Sequence, residues 1–201
     1  MEDKTGQMKK IKDEIVAAKD SPLYEYRIKN KYFPVIGEGS HNAKIMFIGE
    51  APGKNEAETG RPFCGAAGKI LDELLAFINI GRKEVYVTNI VKDRPPMNRD
   101  PLPDEIEFYA PFLDRQIEII RPEVIATLGR FSMAYIMKKF GLSTKGGFAT
   151  SGESISQIHG KIFSAETSYG SVKIVPLYHP AVAIYGTNKE ILKKDFAALL
   201  L

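Results

Sequence analysis

The sequence predicts an α/β fold, with a mainly parallel, four-stranded central sheet flanked by helices. Three observations indicate this fold. Four short, nearly continuous apolar runs are typical of strands that are covered on both faces. Amphipathic helical patterns lie between these runs, and the regular alternation of the two is typical of a parallel sheet. The predicted strands are Lys44–Gly49, Glu84–Asn89, Glu123–Leu128 and Lys173–Tyr178.

Each predicted helix has apolar residues at helical spacing. Two of them stop near Gly81 and before Gly141, since glycine is common just after a helix. Pro111 is expected to kink a third. Residues 146–160, rich in Gly, Ser and Thr, predict a surface loop before a hairpin. The predicted helices are one around Met8, Ile11 and Ile15, then Ala67–Asn79, Glu105–Ile120 and Phe131–Phe140, and a last one that begins at the capping box Thr187–Glu190.

Length and composition fit one globular domain over residues 1–201. Hydrophobic residues make up 44% and charged residues 26% of the chain, which provides a core and argues against disorder. The single cysteine excludes an internal disulfide and any metal site that needs several thiolates. No apolar run approaches the ~18 residues of a membrane span, so we expect a soluble, cytoplasmic protein. The net charge of +3 permits a polyanionic partner without requiring one.

Open α/β sheets bind ligands beyond the carboxyl ends of their strands, so the segments after the predicted strands form the candidate site. Residues 49–68 follow the first strand and are rich in glycine and proline, which lets backbone amides approach a ligand closely. A phosphate-binding P-loop is a weak alternative. Only three residues separate Gly49 from Gly53, and Asn55 stands where such a loop has Ser or Thr. A plain surface loop is the other alternative.

Asn89 ends the second predicted strand, where its side chain would point into the crevice. A side-chain amide offers two donors and an acceptor, enough to read the edge of a nucleobase, although turn-forming asparagines are commoner. The residues that follow include four prolines and are therefore stiff and extended. They display Lys92, Arg94 and Arg99, which suits contacts with phosphates, while a solvated loop is the alternative.

His179 is the histidine best placed for chemistry among the three in the chain. It directly follows the fourth predicted strand, and Pro180 fixes the backbone after it. His41 lies before the first strand and His159 lies in the predicted hairpin, so neither is expected to take part in chemistry. Considered alone, His179 could equally be structural.

Four segments together resemble the family-four uracil-DNA glycosylases. They are GEAPG at Gly49–Gly53, GRPFCGAAG at Gly60–Gly68, the stretch Thr88–Arg99, and His179-Pro180-Ala181. The resemblance implies the three-layer fold of that superfamily and a monofunctional repair enzyme. Such an enzyme flips uracil out of DNA, hydrolyses its N-glycosidic bond and leaves an abasic site. Two alternatives are a glycosylase for another deaminated base, such as hypoxanthine or xanthine, and a non-catalytic relative that binds uracil-containing or single-stranded DNA.

The resemblance also implies which residues bind the base. Phe63 resembles the aromatic residue that stacks on uracil. Asn89 resembles the residue that accepts from uracil N3–H and donates to O4. Cytosine shows the opposite pattern at that edge, so the same amide orientation would reject it. Backbone amides at Glu50 and Ala51 are expected to bind the carbonyl groups of the base.

By the same resemblance, His179 lies near uracil O2 and stabilises the negative charge that develops as the base departs. Either of the two nearest carboxylates, Glu50 and Glu56, could orient the attacking water, so both are candidate catalytic residues. Glu56 also matches an acidic position that could exclude the methyl group of thymine. The expected DNA contacts are Lys92, Arg94, Arg99 and Arg130 on phosphates, with Ile184 or Tyr185 as the residue that wedges into the duplex.

The sequence departs from this family at its iron–sulfur cluster. The family usually has four cysteines that hold a [4Fe–4S] cluster, and the matching positions here are Ala18, Ser21, Asp93 and Tyr109. The remaining cysteine, Cys64, is expected to be a small packed residue. We therefore predict a protein without a metal or cofactor, in which packing or polar contacts replace the cluster. A monomer is the expected state.

Overall fold

Six strands form one sheet in the order β1-β3-β2-β4-β6-β5. The computed structural model describes residues 3–142, 154–185 and 189–200. The four central strands, β3, β2, β4 and β6, run parallel, and the two edge strands run antiparallel to their neighbours. The strands are β1 Glu38–Gly39, β2 Ile45–Gly49, β3 Tyr86–Asn89, β4 Val124–Leu128, β5 Phe163–Thr167 and β6 Gly170–Leu177.

The four central strands are the four predicted ones, so the α/β fold with a parallel sheet is confirmed. The sheet is nevertheless larger than the four strands that were predicted. β5 and β6 form the expected hairpin, which adds one edge. The other edge, β1, is only two residues long and carries no apolar run, and this is why the sequence pattern missed it.

Eight helices connect and flank the strands in the described residues. The predicted helices lie within a few residues of the observed ones. α7 is a correction, because it falls inside the stretch predicted as a loop, where Ser154 and Gln157 form a capping box. Residues 146–153 of that loop, and Thr187 and Asn188 of the last predicted capping box, lie outside the described residues. The helices are α1 Lys4–Ala17, α2 Tyr24–Lys29, α3 Lys54–Thr59, α4 Ala66–Phe77, α5 Pro103–Ile120, α6 Arg130–Lys139, α7 Ile155–Ile158 and α8 Lys189–Ala197.

Helices cover both faces of the sheet and make a three-layer arrangement. On one face, α1, α5 and α6 pack around Ile48 and Ile125, with Ile11 and Leu113 among their buried residues. On the other face, α4 and α8 pack on Phe47, whose ring stacks on a phenylalanine of α8 at 5.7 Å. Burial on both faces explains why the central strands are continuous apolar runs instead of alternating ones. No helix among the described residues has the length and apolarity to span a membrane.

The carboxyl ends of the parallel strands meet at one edge of the sheet. Gly49 at the end of β2 is paired with Asn89 at the end of β3, and Leu128 of β4 is paired with Leu177 of β6. The segments that follow these residues therefore converge. This register brings three of the sequence-predicted segments, far apart in the chain, to a single crevice.

Candidate active site

A cleft of ≈ 370 Å³ opens at this carboxyl edge, within the size range of small-ligand pockets. Residues from the segments after β2, β3 and β6 line it. The structure brings together all of the residues expected to bind or process the base. Sequence reasoning missed Pro95 and Asn98, which also line the cleft and belong to the proline-rich stretch that was read only as a phosphate contact. The predicted residues that line it are Glu50, Ala51, Glu56, Phe63, Asn89 and His179, together with Arg99 from the expected phosphate contacts.

Asn89 reaches the cleft because its neighbour in the sheet is a glycine. Asn89 is only 2% exposed, at the end of β3. A Cβ atom on Gly49 would lie 2.3 Å from Asn89 Oδ1 and 2.8 Å from Phe63 Cζ, so only glycine leaves room for both groups. Among the described residues, the Asn89 amide has no hydrogen-bond partner. It is therefore available to a ligand that enters the cleft.

Lys92 is not a surface residue, and the prediction that it contacts DNA phosphates is wrong. Its side chain is completely buried. Nζ donates to the backbone oxygen of Asn89 at 2.6 Å, to Thr88 Oγ1 at 2.8 Å and to Gln116 Oε1 at 2.6 Å. Burial lowers the pKa of this amine well below its usual value. These three contacts fix the amine in the core, so Lys92 anchors the strand end that carries Asn89.

Glu56 holds the loop that presents Phe63. Its Oε1 accepts hydrogen bonds from the backbone N–H groups of Cys64 and Gly65, each at 3.0 Å. These bonds fix the loop just after Phe63, whose φ of 48° is an uncommon value for a bulky residue. The Phe63 ring stacks on the His179 ring at 5.6 Å, with an angle of 29° between the planes. Glu56 is thus engaged with backbone amides, which its sequence position did not reveal.

His179 is neutral and its tautomer is determined by the backbone. The N–H of Ala181 donates to His179 Nδ1 at 3.2 Å, so Nδ1 is an acceptor and the ring proton lies on Nε2. Pro180 has no N–H, which makes Ala181 the first amide able to make this bond. Burial lowers the pKa of His179 to about 4, against an opposing effect of the Glu56 carboxylate. The cleft therefore contains a neutral N–H donor at pH 7.

Glu50 is the cleft carboxyl group that titrates near neutrality. Burial raises its pKa to about 7, the Asp100 carboxylate adds to this effect and Arg130 opposes it. Within the described part of the chain, no hydrogen bond or ion pair engages the Glu50 carboxyl. It differs in this respect from Glu56, one of whose oxygens already accepts two bonds. Glu50 can therefore exchange a proton with a ligand or water near pH 7.

Arg94 is the predicted phosphate contact that retains an available charge. It donates to Tyr32 OH at 2.6 Å and to Asn98 Oδ1 at 2.7 Å, and no carboxylate among the described residues pairs with it. The guanidinium also lies 5.3 Å from the centroid of the Tyr32 ring. These contacts hold Arg94 beside Asn98, which lines the cleft. A polyanion at the mouth of the cleft would meet a fixed positive charge.

The other two predicted phosphate contacts are ion-paired. Arg99 makes two hydrogen bonds to the buried Glu105 carboxylate, at 2.9 and 2.5 Å. Arg130 pairs with Asp100 on the surface. Their partners neutralise part of the charge that would attract a phosphate, so both remain predictions. Ile184, a predicted wedge, is 44% exposed, and Tyr185 ends the same 3₁₀ turn, with its side chain outside the described residues.

A buried hydrogen-bond network connects three of the positions where the family has cysteines. Arg27 donates to Asp93 Oδ2 at 3.0 Å, and Tyr109 OH donates to the same oxygen at 2.6 Å. Ser21 Oγ lies 2.6 Å from Tyr109 OH, and because the Tyr109 proton is used, Ser21 is the donor. Arg27 also donates to the last carbonyl groups of α1, those of Ile15 and Val16. We call these four side chains, Ser21, Arg27, Asp93 and Tyr109, the buried quartet.

The buried quartet does not fit an iron–sulfur cluster. Such clusters are held by cysteine thiolates, and this set offers two hydroxyls and one carboxylate instead. The hydroxyls and the carboxylate are already hydrogen-bonded to one another. The only cysteine, Cys64, is elsewhere, 3.3 Å from Thr59 Oγ1 in the loop after α3. Nor do the described residues contain any group of His, Cys, Asp and Glu that could hold a metal ion.

Fold and site together define an α/β protein with a ligand-sized cleft at the carboxyl edge of a parallel sheet, lined by groups that suit a flat, polar ring. The ring would stack near Phe63, and the amide of Asn89 and the imidazole of His179 would meet its polar edges. Comparison with known proteins is consistent with this class of protein and shows the superfamily to which the chain belongs.

The family model described as the Uracil DNA glycosylase superfamily matches residues 36–200, and this chain belongs to that superfamily. The type-4 uracil-DNA glycosylase of Sulfurisphaera tokodaii is 44% identical over 191 residues, which cover 94% of this chain and 81% of the relative. The type-4 enzyme of Archaeoglobus fulgidus is 43% identical over 184 residues, covering 91% and 86%. A type-5 uracil-DNA glycosylase of Pyrobaculum aerophilum is 28% identical over 171 residues, covering 78% and 69%. The resemblance to family four is thus confirmed.

Proposed function

We propose that this protein excises uracil from DNA as a monofunctional glycosylase in base excision repair. The product is an abasic site in an intact strand. One observation carries the proposal: the Asn89 amide, which has no hydrogen-bond partner among the described residues, the ring of Phe63 and the neutral imidazole of His179 face one cleft. Family membership supports the same activity, since the type-4 relatives are named uracil-DNA glycosylases.

Recognition of uracil rests on Asn89 and Phe63. The Asn89 amide accepts from N3–H and donates to O4 of uracil, and cytosine presents the reverse pattern. Flipping the nucleotide out of the helix costs a few kcal/mol of stacking and pairing. Stacking on Phe63 returns about 1–3 kcal/mol of this. Lys92, fixed behind Asn89, keeps the strand end in place while the amide reads the base.

His179 stabilises the departing base. As the bond between C1′ of the sugar and N1 of uracil breaks, its electron pair moves onto the base, and negative charge develops on O2. The Nε2–H of His179 donates to that oxygen. The hydrogen bond strengthens as the charge grows, so it favours the transition state over the bound substrate. A low pKa keeps the ring from carrying a positive charge at pH 7.

Glu50 is the carboxylate we assign to the water. The water oxygen attacks C1′ as the glycosidic bond breaks, and Glu50 accepts the proton that the water loses. Glu56 is assigned a different role, because its Oε1 accepts from two backbone amides and holds the Phe63 loop. The hydrogen bonds of Glu56 to the backbone support this division of roles between the two carboxylates.

An oligonucleotide with one uracil tests the function. Incubation with the protein in EDTA, followed by alkali, is expected to cut the strand at the uracil, and no cut is expected without alkali. A matched oligonucleotide with thymine at that position is the control. Cleavage only at hypoxanthine or xanthine would establish a glycosylase for another base. Binding of the uracil strand without cleavage would establish a non-catalytic DNA-binding protein.

The pH profile tests the assignment of Glu50. A base with a pKa of about 7 is active only when deprotonated, so the single-turnover rate is expected to rise with pH. At pH 6 the rate is expected to be about a tenth of the plateau above pH 8. In Glu50→Gln the rate is expected to be low and no longer to rise with pH. In Glu56→Gln the rise of the rate with pH is expected to remain. A rate that still rises with pH in Glu50→Gln would refute the assignment of Glu50 as the base.

We propose a single domain over residues 1–201 that acts as a monomer in the cytoplasm, on DNA that contains uracil, and without an iron–sulfur cluster. The absence of thiolates at Ala18, Ser21, Asp93 and Tyr109 supports a protein without the cluster. The hydrogen bonds of the buried quartet support the view that polar contacts serve in its place.

A further inference from the structure

Met97 has an unusual conformation and an unusual exposure. It lies in the turn Pro96–Arg99, closed by a hydrogen bond of 3.1 Å from the Arg99 N–H to the Pro96 oxygen. Both central residues are left-handed, with φ of 56° at Met97 and 54° at Asn98. Turns of this kind favour Gly, Asn and Asp. Met97 nevertheless occupies the first central position, with its side chain 90% exposed to water.

The turn is held rigidly at the mouth of the cleft. Pro95, Asn98 and Arg99 all line the cleft, so Met97 lies on its rim. Arg94 anchors Asn98 at 2.7 Å, and two hydrogen bonds attach Arg99 to the buried Glu105 of α5. The Met97 side chain therefore projects from a fixed base and not from a loose loop.

We infer that Met97 is a second wedge, besides the one expected at Ile184 or Tyr185, and that it enters the DNA base stack beside the flipped nucleotide, an inference that rests on the proposed function. A strained residue persists where the surrounding structure holds it, and such residues cluster at functional sites. Apolar side chains, methionine among them, are inserted between base steps by proteins that distort DNA. DNA must approach the mouth of the cleft for a base to enter it, and Met97 is the large apolar side chain on that rim with the greatest exposure.

Met97→Gly tests this role, because it removes the side chain and relieves the left-handed backbone. We expect an unchanged or higher melting temperature. Uracil excision from a duplex is expected to slow at least about tenfold, since the wedge no longer offsets the cost of unstacking. Excision from a single strand, which has no duplex to open, is expected to change much less. Met97→Leu, which keeps the apolar bulk, is expected to behave like the wild type.

A fluorescent base provides a readout that does not depend on cleavage. With 2-aminopurine next to an uncleavable 2′-fluoro uracil nucleotide in a duplex, binding of the wild type is expected to raise the fluorescence, and Met97→Gly is expected to raise it less. Phe77→Ala is the control. Phe77 is also exposed, but it is the last residue of α4, and the first turn of that helix is the part that meets the cleft. Equal duplex excision and equal fluorescence in Met97→Gly and the wild type would overturn the inference. A wild type inactive even on single strands would overturn the proposed function instead.

Discussion

Arg27→Met is expected to lower the free energy of unfolding by about 3–5 kcal/mol, because it leaves a buried carboxylate without its cation. Arg27 and Asp93 are 3% and 1% exposed, and their atoms are 3.0 Å apart. Among the described residues, Oδ1 of Asp93 already has no hydrogen-bond partner. Burial raises the pKa of Asp93, while Tyr109 and Arg27 oppose that rise. Loss of Arg27 would thus remove a major favourable contact of this carboxylate. Urea denaturation followed by circular dichroism measures the change.

Arg115→Met is the matched control. Arg115 pairs with Glu14 on the half-exposed surface, and such pairs contribute at most about 1 kcal/mol. The double variant Arg27→Met/Asp93→Asn is expected to be less unstable than the sum of its single changes, because no buried charge remains unpaired. An Arg27→Met protein as stable as the Arg115→Met protein would contradict the importance of the buried quartet.

The buried quartet connects separate segments of the chain. It joins α2 and the turn before it to the end of α1, the segment after β3 and the middle of α5. That segment after β3 also carries Arg94 and the cleft-lining Pro95. The pocket wall is therefore attached to the helical layer by ionic and hydroxyl hydrogen bonds. Sequence patterns could not place Arg27 in this network, because nothing local marks an arginine on a short helix as buried.

The pattern of apolar residues was sufficient to predict the layers of the fold and insufficient to predict its edges. The central strands are covered on both faces, so each left a continuous apolar run in the sequence. β1 pairs through the backbone of Glu38 and Gly39 alone and left no such run. Helix α7 is one turn long, too short for a periodic pattern to appear. The sequence did not predict these two elements because both are too short to carry a periodic apolar pattern.

Within the site, the sequence indicated which residues meet at the cleft but not their environment. The segments after the strands indicated Asn89 and His179, because chain topology brings them to one edge, and the family resemblance indicated Phe63. Lys92 and Arg94 looked equivalent in sequence, yet one is wholly buried and the other is not. The difference arises because the Lys92 stem folds back toward three oxygen acceptors in the core. Whether a histidine is neutral likewise depends on burial, which is a property of the folded chain.

His179→Ala is expected to slow uracil excision by about 10²–10³-fold, the usual effect of removing one donor from a developing oxyanion. The neutral ring donates through Nε2, and alanine offers no donor in its place. Because the pKa of His179 is about 4, its N–H donor is unchanged between pH 5.5 and 8.5. The activity that remains is therefore expected to keep the rise with pH that is assigned to Glu50. Single-turnover rates over that pH range measure both features.

His41→Ala provides the matched control, since His41 interacts with Thr5 and with Tyr86, at the opposite end of β3 from Asn89, and none of these three residues lines the cleft. It is expected to leave the excision rate unchanged. His179→Gln, which retains an N–H donor, is expected to recover part of the lost rate. A structural role for His179 would instead lower stability in both variants and leave them equally slow. Wild-type rates in His179→Ala would show that the charge on the departing uracil is stabilised by another group of the cleft.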